Sequence, residues 1–349
     1  MNLKRLSICC AAVHVAAAHW AVATAHHSTA AHYDESRTVE IRGELVEFEL
    51  RSPHSSLTVD QLTADGTVRR WQIETRSLPQ MTRRGWGEDS FRVGDIITAY
   101  AWPNRSADKD LLFGTGFVTR EGTLVGELPD LENVEVDPDA SGIGRLAGRW
   151  RGIPISHETA FSPLPLSPAG VEAWENYDPT LSPANTCAPL NTPSVYHAPN
   201  YLHEIRVTDD EVILFHEVYT VTRTVPLGDQ PQQVEPTGLL GRARGWVEGG
   251  ELVIETHDFP PSRWGLAMAA LPNGNGADIP SSEQKRVTER LSISEDGRTM
   301  TVEYVLEDPV YLTGPYSQRV TFYRIAADTP MFEYDCNVDS ASRFSRPDD

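Results

Sequence analysis

From residue 38 to residue 325 the chain is built of short runs in which apolar and polar residues alternate, most of them ending in a turn dipeptide, and that pattern commits it to antiparallel β-structure. In the first half, run 38–50 carries Val39, Ile41, Leu45 and Phe48, with Gly43 free to bend. Run 55–60 follows, then an Ala64-Asp65-Gly66 turn, then run 68–75 with Trp71 and Ile73. Ser77 is placed to cap a short helix to residue 84, and runs 96–102 and 111–118 complete the set. Three strands, a helix and two strands is the order of an OB-fold barrel. Further on, runs 201–207 and 211–225 flank Asp209-Asp210, runs 242–247 and 251–256 flank Gly249-Gly250, and runs 286–294 and 299–306 flank Asp296-Gly297. A last run spans 316–325. Successive hairpins of this kind predict a meander closed into a second barrel. The fold class expected is therefore all-β, with two barrels.

The two ends and the charge set the divisions. Lys4 and Arg5, an Ala-rich apolar run over 8–22 and Ala23-Thr24-Ala25 form an export signal with a small-x-small cleavage site, so residues 1–25 are expected to leave. His14 and His19 interrupt that run too early for a membrane span, and no later stretch is apolar enough for one. The expected mature chain starts at His26 and lies in the periplasm or outside the cell. Its barrels are expected over 26–118 and 146–349, joined by an acidic linker, 119–145. The proline-rich stretch 153–200 reads as a wrapping loop with one helix over 167–176, Pro168 being suited to its first turn. The formal charge is −20, and loss of Lys4 and Arg5 takes it to −22. A surface of that sign repels phosphate backbones and anionic lipid, which argues against nucleic-acid binding.

Cys9 and Cys10 lie in the export signal, which leaves Cys187 and Cys336. In an oxidising compartment these two suggest one disulfide, with no C-x-x-C redox spacing. The sequence also lacks a Gly-x-Ser-x-Gly elbow, a phosphate loop and a His-Glu-x-x-His pair.

His26-His27-Ser28, Arg51-Ser52-Pro53-His54, Arg83-Arg84-Gly85-Trp86 and Val93-Gly94-Asp95 resemble a bacterial exported family of unknown function. Mature chains of that family open with His-His-Ser and carry an Asn-Pro-His-Ala turn after the first strand; here the turn is Ser52-Pro53-His54-Ser55, which keeps the Pro-His. Residues 146–340 are similar to a second exported family without an assigned activity, through Gly148-Arg149-Trp150, Asp178-Pro179, Glu217, Glu248-Gly249, Glu289-Arg290 and Glu307-Asp308-Pro309. The Gly148-x-Trp150 opening resembles the lipocalin signature. The resemblance implies a lipocalin-like barrel whose end is closed by Trp150 under a basic residue of the last strand, either Arg319 or Arg324. Those relatives place Trp directly before the Glu-Gly turn, whereas Val247 stands there and Trp246 comes one place earlier, a shift that turns the ring to the other face.

Two histidine groups are candidate sites. A chain starting at His26 would offer an α-amine and an imidazole on one residue, His27 would add a second imidazole, and His54 a third from the Pro-His turn. An amine that titrates at roughly 7.7–8.0 yields its proton to a metal easily, and an all-nitrogen set suits Cu(II) or Ni(II). In the 201–225 hairpin the Asp209-Asp210 turn sets His203 opposite His216 on an apolar face, either a metal pair or a hydrogen-bonded pair at a barrel mouth. Glu217, Glu289 and Arg290 match the second family's pattern and are the expected lumen residues. The leading functional expectation is an extracytoplasmic binding protein, with Cu(II) at the terminus and a small, partly apolar ligand in the second barrel. The alternatives are an enzyme with a lumen site around Glu217, Glu289 and Arg290, and a structural module of the cell envelope.

Overall fold

The computed structural model describes residues 29–119, 122, 124–125, 134, 136–152, 162–228, 238–269, 271, 274 and 276–342. After a single helical turn, α1 (Thr29–His32), come strands β1 (Val39–Glu49), β2 (Ser56–Leu62), β3 (Val68–Glu74), the helix α2 (Leu78–Thr82), β4 (Ile96–Pro103) and β5 (Leu111–Val118). The sheet runs β3-β2-β1-β4-β5, and parallel pairing of β3 with β5 closes it into a five-strand barrel of OB-like topology. The long β1 serves two partners, pairing with β4 through Glu44 and with β2 from Glu44 onward, across an irregularity between Leu45 and Glu47. Gly43 sits at that crossing because a Cβ there would lie 2.3 Å from the Asp60 carbonyl oxygen. Inward residues Leu45, Leu57, Val59, Ile73, Ala99 and Phe117 form the core. Trp86 plugs it, its ring edge-on to Phe91 and Phe117 with centroids 4.9 Å away in each case.

A two-residue strand, β6 (Leu124–Val125), pairs with the end of β5. The second barrel is made of β7 (Gly148–Gly152), β8 (Leu202–Val207), β9 (Glu211–His216), β10 (Val221–Pro226), β11 (Arg242–Glu248) and β12 (Glu251–His257). A separate hairpin of β13 (Ser262–Ala267) and β14 (Ile279–Ser281) intervenes before β15 (Arg286–Ile293), β16 (Thr299–Glu307) and β17 (Tyr316–Ile325). The sheet order β10-β9-β8-β7-β17-β16-β15-β12-β11 is an all-antiparallel meander whose last strand pairs with its first. Between its two edges run a Leu227–Gly245 bridge and a hydrogen bond from Gly228 N to the Gly245 oxygen, so the barrel is nearly closed. Arg324, not Arg319, lies over Trp150, 4.2 Å from the ring centroid. It also donates to the Ala147 oxygen at 2.7 Å, and a Cβ on Gly148 would fall 2.4 Å from its Nη1, which explains the glycine of the opening motif. Arg319 instead pairs with Glu303 on the outer surface. Ala243 and Gly245 of β11 face inward, so Trp246 faces out, as the one-place shift predicts.

Three features depart from the sequence expectations. Run 211–225 is two strands: the chain reverses at Glu217–Thr220, where Tyr219 and Thr220 have φ of 54° and 51°. Each flank alternates, but the inward phase slips by one place between them, from Val212, Leu214 and His216 to Val221, Arg223 and Val225. The β13–β14 hairpin was not anticipated. The stretch expected to wrap the outside instead enters the barrel. Helix α3 (Pro168–Glu175) forms with Ser167 capping Gly170 N, but Leu190, Asn191, Val195, Tyr196 and His197 are all at most 3 % exposed. Val195 and Tyr196 share one core with Trp150, Leu214 and Phe322. This plug is held by Lys285, whose ammonium donates to Asn191 Oδ1 (3.1 Å), the Thr192 oxygen (2.6 Å) and the Gly265 oxygen. The Cys187–Cys336 disulfide links the start of the plug to the C-terminal segment.

Candidate functional site

The Ser52-Pro53-His54-Ser55 turn leaves β1 at the seam between the barrels. Ser55 Oγ donates to the Arg51 oxygen (3.0 Å) and accepts from Arg51 N (3.1 Å). Its backbone exchanges bonds with Arg76 and Thr75 at the end of β3. With the backbone so pinned, the His54 ring is directed at Glu74: Nδ1 lies 2.5 Å from Oε1, and the carboxylate is almost fully buried. The second oxygen of Glu74 accepts from the Tyr33 hydroxyl at 2.7 Å. Tyr33 is itself fixed by a bridge to Asn104 and by the ring of Phe113. Thus the segment that leads in from the N-terminus and the Pro-His turn meet on one buried carboxylate. His26 and His27 lie outside the described residues, and among the described residues no group of three or more His, Cys, Asp and Glu side chains could hold a metal. The carboxylate on Nδ1 holds the His54 ring in one orientation, an arrangement that also stands behind metal-ligating histidines.

The residues expected in the second barrel do not converge. His203 and His216 do face each other in register, with Nδ1 to Nδ1 at 2.7 Å. Burial pushes His203 down to about 3 and His216 well below its ordinary value, so the pair is neutral and one ring donates to the other. Nitrogens at that separation are bonded to one another and leave no room for a metal between them. Glu289 does point into the lumen. It is bound by both Arg223 nitrogens (2.8 and 2.6 Å) and by the Tyr196 hydroxyl of the plug (2.6 Å), while Arg223 also donates to Thr256. Arg290, its neighbour, necessarily points the other way in a strand and pairs outside with Glu248 and Glu251. Glu217 is not in the lumen: it lies between the barrels. It accepts Arg83 in a two-point ion pair (2.6 and 2.7 Å) and the backbone N–H groups of Leu202 and Phe332.

Several of these partners are invisible without the fold. Tyr196, Lys285, Arg83 and Glu74 carry buried polar contacts; apart from Arg83, which lies in the Arg83-Arg84-Gly85-Trp86 motif, nothing local marks them. Arg223 was findable, since it occupies the inward phase between Val221 and Val225. An open cleft of about 820 Å³ lies beside Lys285, lined by His257, Glu283, Asp308, Leu312 and Pro315. Burial pushes the Lys285 ammonium down to about 7, against the pull of Asp308.

No helix among the described residues is long and apolar enough to cross a membrane. No curated protein matches the chain. Residues 12–113, which take in the His-His-Ser segment, the Ser-Pro-His turn and the first barrel as far as β5, match the model of a family of unknown function, DUF6152.

Proposed function

We propose that this chain is an extracytoplasmic binding protein that takes one Cu(II) at its mature terminus. The α-amine and imidazole of His26 would supply two nitrogens, and His27 or His54 the rest. The observation that carries this reading is the shared carboxylate: Tyr33 and His54 meet on Glu74, so a terminus only seven residues ahead of Tyr33 starts within reach of an imidazole held in the orientation a metal needs. With Thr29–His32 in a helical turn at about 1.5 Å per residue and the three residues before it at no more than about 3.6 Å each, that segment spans up to roughly 17 Å. The second barrel is read as a platform: its lumen holds the plug, Arg223 and Glu289 are paired with each other inside it, and Lys285 is taken up by neutral oxygens. Any small, partly apolar ligand would then sit at the barrel mouth, in the cleft beside Leu312 and Pro315. The enzyme reading loses its constellation, because Glu217, Glu289 and Arg290 occupy a seam, a lumen and an outer face.

Calorimetric titration of processed protein with Cu(II) tests the reading. His54→Ala should weaken binding at least tenfold, and His203→Ala should leave it unchanged. Equal affinity in His54→Ala and the parent would remove the turn from the site.

A further inference from the structure

Where the two barrels meet, four arginines line a narrow crevice together with Gln80, Asn200 and Leu202. Arg76, Arg83 and Arg84 come from the segment that follows β3, and Arg151 from β7 of the second barrel. Among the described residues Arg83 is paired with Glu217, and Glu35 acts on Arg76 at longer range. Arg84 donates to the Gln80 oxygen at 2.8 Å, Arg76 lies against the Phe113 ring at 5.6 Å, and neither has a salt bridge among the described residues. Arg151 has none there either. Elsewhere in this acidic chain arginines such as Arg69, Arg70, Arg244 and Arg319 sit directly on carboxylates. Here burial, then Arg76, Arg151 and Arg83 in turn, push Arg84 down to about 10, and Arg76 and Arg151 are lowered as well.

The geometry points to this crevice as a binding site for a tetrahedral oxyanion of the phosphate type, assembled only when both barrels are in place. Half-buried like charges that outnumber the carboxylates around them among the described residues repel, and a bound anion converts that repulsion into attraction. Guanidinium forks offer paired N–H donors that match phosphate oxygens. Three forks from two barrels exceed what one carboxylate's two oxygens can use, whereas a phosphoryl group has oxygens for each. The free volume is about 10 Å³, room for roughly one water. The anion therefore enters at the outer edge and the arginine side chains fold onto it. The ligand is inorganic phosphate or the phosphoryl end of a larger molecule.

The test is calorimetric titration of the full processed chain, metal-free and at low ionic strength, with inorganic phosphate, glycerol phosphate and chloride. One phosphate should bind. Arg84→Gln and Arg151→Gln should each weaken it at least tenfold, yet in chloride each should melt no lower than the parent, because removing one like charge relieves the others. An ester that binds more tightly than phosphate identifies the phosphoryl end of a larger molecule, and one that binds no better identifies the free ion; both support the site. Phosphate binding no stronger than chloride, or equal affinity in the parent and both variants, overturns it.

Discussion

At the residue scale the second barrel depends on charges and imidazoles that water does not reach. Arg223 and Glu289 are 2 % and 0 % exposed at the side chain, so deleting one leaves the other charge buried and alone. Breaking such a pair typically costs about 3–5 kcal/mol, while replacing both partners by apolar groups is often close to neutral. Glu289→Leu should therefore lower the urea-unfolding free energy by roughly that amount, and Arg223→Met with Glu289→Leu should recover most of it; a double variant as unstable as the single would contradict the pairing. The three buried histidines act through pH. Burial pushes His197 and His203 down to about 3, and His216 falls well below its ordinary value. Their unfolded forms take up a proton near 6.5 and their folded forms do not, so their stabilisation is complete above that pH and is lost as the pH falls toward 3. Each should remove about 2 kcal/mol between pH 7 and pH 5. Replacing the pair, His203→Leu with His216→Leu, should cut the slope of stability against pH in that window to about a third; an unchanged slope would mean the imidazoles are already protonated in the folded protein.

At the element scale the plug is the unexpected part, and the disulfide is its anchor. Cys187 and Cys336 are 149 residues apart, a separation for which the chain-entropy model gives about 5 kcal/mol as an upper-end figure. Cys187→Ser should melt clearly lower than the parent and expose the plug to limited proteolysis near Tyr196; identical melting and cleavage would show that packing alone holds it. The strands that form the barrels were legible because period-two alternation and Asp-Gly or Gly-Gly turns are local signals. The His203–His216 register followed from one turn, and the Cys187–Cys336 pairing from there being two cysteines after the expected export signal. The plug was not legible, since proline-rich chain gives no period and its burial is decided by the strands around it. The reversal at Glu217 shows in the sequence only as a one-place slip of the inward phase, from Val212, Leu214 and His216 to Val221, Arg223 and Val225, and Arg290 was misplaced by treating neighbours in a strand as if they shared a face. At the terminal site the sequence offered His54, but Glu74 and Tyr33 gather around it only through the closure of β3 on β5.

At the scale of the whole molecule the two barrels are joined as one object. Residue 52 forms a bridge with Cys336, Asn337 N donates to the Ser52 oxygen at 2.7 Å, and Ser340 donates to the His54 oxygen at 2.9 Å. The Arg83–Glu217 clamp lies at the same seam, 3 % and 0 % exposed. Glu217→Ala leaves Arg83 buried without its partner and should separate the single calorimetric unfolding transition into two; one unchanged transition would show that the barrels couple elsewhere. The Pro-His turn thus sits on a framework to which both barrels contribute, while the metal ligands proposed for His26 would come from a terminus that needs no folding to present its nitrogens. That division is the centre of the account, and Cu(II) titration of correctly processed protein beside the same protein extended by one N-terminal Met tests it most directly. The processed form should bind one Cu(II) and the extended form should lose that affinity with its melting temperature unchanged; equal affinity in the two would contradict the account.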